Sequence, residues 1–351
     1  AKLSVGILSA YQLYGDGSCL TNVGAAATNA WIPDAQENLV AGNGAGAARD
    51  ADTSWNVLIG CNAGAELDSG DTNVFIGHEA GSCFTSGYMN IALGMSALHG
   101  STTPANNSGT NNIAMGSHAG KLITAGENNV IMGWCAGFNV TTQSNSVFMG
   151  RNAGFYRAIG EHNLAFGCGA LEGGSTPADN SGSNNIALGH HAGNDVTSGG
   201  CNILLSLGAG AKLTTGGNNI LLGKHVACEL TTGSCNVMIG CDVGAGVTSG
   251  LRNIGLGVIV MDLCEGDSCR NVAIGYAVGR RIKDTHDNVF VGSNVACVGE
   301  LTGDDNVAIG EGAFKNATSG CRNVYMGYRP GYCNETGSYN IGLGHQVLEK
   351  A

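Results

Sequence analysis

Along most of this chain one short alternation returns: a polar residue, three apolar positions, then glycine. It reads NVFIG at Asn73, NVLIG at Asn56, NIAMG at Asn112, NILLG at Asn219, NVMIG at Asn236 and NVAIG at Asn306. The openings fall at 38, 56, 73, 90, 112, 129, 146, 163, 185, 202, 219, 236, 253, 271, 288, 306, 323 and 340, so the usual step is 17 residues, with three steps of 18 and two of 22. Self-similarity at a fixed short period marks a repeat architecture. Apolar residues at alternating positions of a five-residue run mark a short strand. Together they predict an all-β chain, a parallel β-solenoid of about eighteen 17-residue rungs.

The columns of the repeat assign the faces. Positions 2 and 4 carry β-branched or long apolar residues and are read as the face that fills the coil. Position 3 points the other way, yet it holds Leu58, Phe75, Ile131, Phe148, Leu204, Leu221, Met238, Phe290 and Tyr325, and never a charge. A strand apolar on both faces is buried on both. These nine residues are therefore expected to be oligomer contacts, with other copies of the chain covering the strand face and the oligomer axis parallel to the solenoid. Alanine or valine at position 8 and an apolar residue near position 12 complete the small core, and glycine at positions 9 and 15 serves the corners.

Position 1 is asparagine in every rung but the one opening at Ser146. Stacked carboxamides hydrogen-bond up and down a column. Asn56, Asn73, Asn90, Asn112, Asn129, Asn163, Asn185, Asn219 and Asn236 are accordingly read as a structural turn ladder. The two 22-residue steps contain near-duplicate insertions, ALHGSTTPANNSGTN from Ala97 and ALEGGSTPADNSGSN from Ala170. Polar loops on a rigid scaffold are where binding resides, which makes His99, Thr102, Asn106, Glu172 and Asp179 candidate contacts. Residues 1–37 lack the repeat and are read as an attachment or capping segment, ahead of a repeat domain over 38–351.

Composition narrows the function classes. Glycine supplies 59 of 351 residues, prolines number 4 and the net charge is -11. An acidic chain without basic runs does not suit phosphate backbones or anionic membranes, and no run approaches the ~18 apolar residues of a membrane span. Nucleic acid and membrane insertion are thus not expected as partners. The 14 cysteines never share a column in consecutive rungs. Free thiols of a reducing compartment are the expectation, with Cys264–Cys269 and Cys235–Cys241 the pairs to check. Histidines after the position 5 glycine never fall on successive rungs, and the acidic residues give no paired-carboxylate geometry. No metal, no cofactor and no catalytic residue is expected. Glu265, Lys283 and Glu300 share a column if the 18-residue rungs keep register, which suggests a surface ion-pair ladder.

The rung N-[VI]-x-[ILM]-G-x-x-A-G resembles two groups of fibrous proteins: the heads of trimeric autotransporter adhesins, and the long repeats of phage tail-fibre and virion fibre proteins, especially those of marine cyanophages. The segment YGDGSCLTNVG at Tyr14 is similar to one found in the latter. The resemblance implies a homotrimer of parallel β-rolls or β-helices. It also implies a non-enzymatic virion fibre whose partners are itself, other virion proteins and, as a candidate, a host-surface glycan. A bacterial cell-surface adhesin and a polysaccharide-binding or -degrading solenoid are the alternatives.

Overall fold

A computed structural model describes residues 33–103, 107–264 and 266–349. The attachment segment read at 1–37 lies outside that range except for its last residues, as do Asn106 and Glu265. The described chain is a parallel β-solenoid. Its strands run from β1 (Leu39–Ala41), β2 (Val57–Ile59) and β3 (Val74–Ile76) to β18 (Ile341–Leu343), one to each rung. All eighteen form one sheet in which each strand pairs in parallel with the next. Like positions face like: Val57 pairs with Val74 and Phe75 with Ala92. The register survives both insertions, with Ile91 opposite Ile113 and Leu164 opposite Ile186. Extra residues are therefore looped out at a corner and never enter the sheet.

The strands are only three residues long except in four consecutive rungs, where β12 (Val237–Cys241), β13 (Ile254–Val258), β14 (Val272–Tyr276) and β15 (Val289–Ser293) reach five. Three residues contribute few ladder bonds, so the corners must hold the rungs together. Asparagine does this. The Asn236 backbone N–H and its Nδ2 both donate to Asn219 Oδ1 at 3.0 Å, and Nδ2 also donates to the Gly250 carbonyl at 2.8 Å. The same three bonds recur at Asn73, Asn90, Asn112, Asn129, Asn185 and Asn219. Asn56 joins the column by bonding to Asn38. Each of these side chains is fully buried. A buried carboxamide without partners would cost about 1–3 kcal/mol per lost group; here every rung supplies the partners of the next.

Glycine holds position 5 of every rung except that of β10 (Ile203–Leu205), where Ser206 takes its place at φ +107°. Gly77 has φ +138°, and a Cβ there would stand 2.4 Å from the Gly94 carbonyl oxygen of the following rung. At Gly77 the corner thus disfavours any side chain, both by its dihedral and by the close approach of the stacked backbone.

The structure reverses the expected faces of the strand. Position 3 points inward: Leu58, Phe75, Ile131, Phe148, Leu204, Leu221, Met238, Phe290 and Tyr325 are all fully buried within their own coil. They pack on the position 8 column (Ala63, Ala80, Ala119, Ala136) and the position 12 column (Leu67, Phe84, Ile123, Val140). The Phe75 and Phe84 rings, for example, meet edge to face at 6.0 Å. These nine residues are core and cannot be oligomer contacts. Positions 2 and 4 lie on the outer face, half-buried or exposed. The physical reason lies in the return half of the rung. Positions 8 and 12 form the opposite wall of a coil only wide enough for one inward residue per strand, and the strand's middle residue is the one that faces them.

Two substitutions separate the faces. Phe148→Ala is expected to destabilise the folded chain by about 3–5 kcal/mol, whereas Val147→Thr beside it is expected to change stability by less than about 1 kcal/mol. Denaturant unfolding of both variants checks this; similar losses would return the core to positions 2 and 4. Asn219→Ala leaves the Asn236 N–H and the Gly233 carbonyl without their partners, and is expected to cost about 2 kcal/mol or more. That loss would be seen as faster hydrogen exchange of the flanking rungs.

Candidate interaction surfaces

The outer strand face is built from the two columns that the coil does not use. Position 2 is Val, Ile or Leu and position 4 is Ile, Leu, Met, Phe or Val in every rung from Asn56 to Asn340, so no polar side chain interrupts either column. Ile76, Met115, Phe166, Leu188, Ile220, Leu222, Ile254 and Met326 are exposed, by 37 to 54%. Residues flanking the strands widen the strip: Trp55, Met89 and Trp134 are each more than half exposed. In-register stacking makes the strip continuous. At strand spacing it extends for about 80 Å, and with two columns its area is about 800 Å². Single patches on monomeric proteins seldom exceed about 300–600 Å².

One rung departs from the ladder and bonds to itself in another way. Ser146 replaces the asparagine, and its Oγ accepts from the Asn163 N–H at 3.1 Å while the Ser146 N–H donates to Asn129 Oδ1 at 3.0 Å. Gln143, where most other rungs have glycine, donates from Nε2 to Ser146 Oγ at 2.9 Å. A glutamine and a serine together thus fill the place of one asparagine. Arg157 of the same rung occupies the apolar position 12 column and is completely buried. Its guanidinium donates to the Gly182 carbonyl at 2.9 Å and the Val196 carbonyl at 3.2 Å. Nε of Arg157 and Oε1 of Gln143 have no hydrogen-bond partner. Burial pushes the Arg157 guanidinium down to about 10, still protonated at neutral pH. A charge in a mostly apolar column, as also at Arg49 of the first rung, was visible in the sequence, but nothing there told whether it faced core or solvent.

The two inserted loops are bound to the scaffold by a device that their near-identical sequences contain. Asn107 donates to the Cys83 and Ser101 carbonyls at 2.8 and 2.7 Å and accepts from the Ser101 N–H. Asn180 repeats this with Tyr156, Gly174 and Thr176. Both asparagines are fully buried. They were not among the residues singled out from sequence, although their shared place in the two insertions was the signal. Of the candidate loop contacts, Thr102 and Asp179 are exposed on the loops, the latter ending a single helical turn Pro177–Asp179. His99 and Glu172 are half-buried at the loop bases. The His99 ring bonds to the Gly100 carbonyl, and Glu172 accepts from Asn194 Nδ2 at 2.9 Å. Burial, with the Glu172 charge, raises the Asp195 carboxyl. Between the loops, Phe138 and Phe155 stack at 5.1 Å with Lys121 over Phe138 at 5.4 Å. These rings spend their faces on one another. The four described loop residues are not gathered into one site.

Among the described residues the cysteines are free, so neither Cys264–Cys269 nor Cys235–Cys241 is bridged. No group of His, Cys, Asp and Glu there could hold a metal ion, and no helix is long and apolar enough to cross a membrane. Lys283 pairs with Glu300 at 3.3 Å, which gives one link of the expected ion-pair ladder. The fold and these surfaces define a β-solenoid repeat protein. Comparison with protein-family models, curated proteins and solved structures finds no match to the chain.

Arg157 gives this region its test. Its pKa falls on folding, so the unfolded chain binds the proton more strongly between about pH 10 and the ordinary arginine range. In that window the burial cost is relieved and stability rises with pH. Arg157→Leu is expected to be neutral or stabilising at pH 7, on the order of 1 kcal/mol, and to lose that advantage above pH 10. Denaturation midpoints of both proteins at pH 7, 9 and 10.5 provide the comparison; a strongly destabilised variant at pH 7 would show that the carbonyl bonds outweigh desolvation.

Proposed function

We propose that the chain is a non-enzymatic structural rod of a virion fibre, in which copies pack side by side along the outer strand face and extend a host-attachment or decorating surface. The observation that carries this reading is the unbroken apolar strip of positions 2 and 4. Its area of about 800 Å² equals what one partner contributes to a standard stable interface. The partner best matched to a strip with a constant spacing of about 4.8 Å along its whole length is a second strip of the same spacing, hence another copy of this chain. A parallel homotrimer, the arrangement implied by the repeat's resemblance to fibre proteins, covers each strip with the two others around a common axis. The rod's length, about 86 Å for eighteen rungs, and the loops looped out at one corner are supporting features. The virion as its location, and other virion proteins as partners at the ends, rest on that resemblance, with a bacterial cell surface as the alternative location.

Light scattering on the purified chain is expected to give three times the monomer mass. The double variant Ile220→Glu/Leu222→Glu puts charge on the strip without touching the core, and is expected to shift the protein towards monomer while its circular dichroism stays that of the parent. A parent that is monomeric at micromolar concentration would overturn the side-by-side packing.

A further inference from the structure

The four rungs with five-residue strands also alter the return half of the coil. Isolated bridges pair Cys269 with His286 and Ile282 with Leu301, outside the sheet. Gly246 supplies no side chain, and Cys264 takes a position 12 place that is Leu, Ile, Phe or Val in most rungs. The small residues leave a cleft of about 420 Å³ lined by Glu229, Thr248, Leu263, Arg281, Lys283 and Glu300 as well as by Gly246, Asp262 and Cys264. It lies on the return half of the rungs, so copies packed along the strand face leave it open.

The charges in the cleft are not equivalent. Glu229 is held by Lys212 at 2.6 Å, Glu300 by Lys283 at 3.3 Å, and Asp262 by both arms of Arg280 at 3.0 and 3.1 Å. Arg281 is exposed and has no carboxylate partner among the described residues. The cleft thus combines one guanidinium free to take a planar anion, carboxylate oxygens and a threonine hydroxyl able to bond to hydroxyl groups, and one apolar contact in Leu263, more than half exposed. Its volume falls within the roughly 300–1,000 Å³ of small-ligand sites.

We propose that this cleft binds an acidic sugar residue, with Arg281 taking the carboxylate or sulfate, Glu229, Thr248 and Glu300 taking ring hydroxyls, and Leu263 lying against the ring's apolar edge. The proposal rests on reading the rod as a surface that meets host glycans. It assigns that contact to rungs 219–305 and not to the inserted loops.

Saturation-transfer difference NMR with the full chain and millimolar D-glucuronate, galactose 6-sulfate or glucose tests it. At least one of the two anionic sugars is expected to give a signal several times that of glucose, and which one does so identifies the anion. Arg281→Gln is expected to reduce that signal at least tenfold, and Arg281→Lys to retain part of it. Arg281 is exposed, so an unchanged circular dichroism spectrum is expected for both variants. No anionic sugar binding, glucose binding as well as the anionic sugars, or an undiminished signal for Arg281→Gln would each overturn the assignment. A chain that binds glucuronate yet remains monomeric by light scattering keeps the cleft and loses the side-by-side rod; a trimer that binds neither anionic sugar does the reverse.

Discussion

The column of buried asparagine carboxamides is the interaction on which the rest of this structure depends. A three-residue strand cannot secure its own register, and the small coil buries only about three apolar side chains per rung, as Phe75, Ala80 and Phe84 illustrate. Each carboxamide closes a corner of its own rung through Nδ2 and accepts two bonds from the next rung through Oδ1. One side chain therefore fixes both the shape of a turn and the stacking of two turns. Such a column is cooperative, because every group is satisfied only if its neighbours are in place.

The exception at Ser146 shows how far the rule can be relaxed. Serine keeps the acceptor for the next N–H, and Gln143 supplies the carboxamide from another corner. The Arg157 guanidinium in the same rung reaches carbonyls of the two following rungs. This rung directly precedes the second inserted loop, whose Gly182 carbonyl receives both Arg157 and Asn163. Polar bonding thus replaces apolar packing where the regular ladder is interrupted. Where the four longer strands occur the coil departs differently: small side chains open the return half, and charged residues line the opening.

Much of the scaffold was legible in the residues and little of the candidate binding chemistry was. The asparagine column could be read directly because one residue type returns at one spacing. The cleft could not, because its lining comes from positions 10 to 13 of several rungs, two of them 18 residues long, and the register there depends on where the extra residue is accommodated. Glu229 and Thr248 lie far in sequence from Arg281 and Glu300, and only stacking brings them to one opening. The loop asparagines Asn107 and Asn180 were hidden for another reason: a polar residue in a polar loop looks exposed until its partners are known.

The sequence by itself determined the period, the number of rungs, the parallel strands, the corners and the asparagine ladder, since each follows from a residue type recurring at a fixed interval. Only the tertiary structure decided which side of the strand is inside. Alternation divides a strand into two faces but does not say which is which when both are apolar, and positions 2 and 4 outnumber position 3 in every rung. The return half of the coil settles the matter, because positions 8 and 12 leave room for a single inward side chain between them and the strand. Phe75 and its column fill that room, and the more numerous apolar residues are left to form the outer strip.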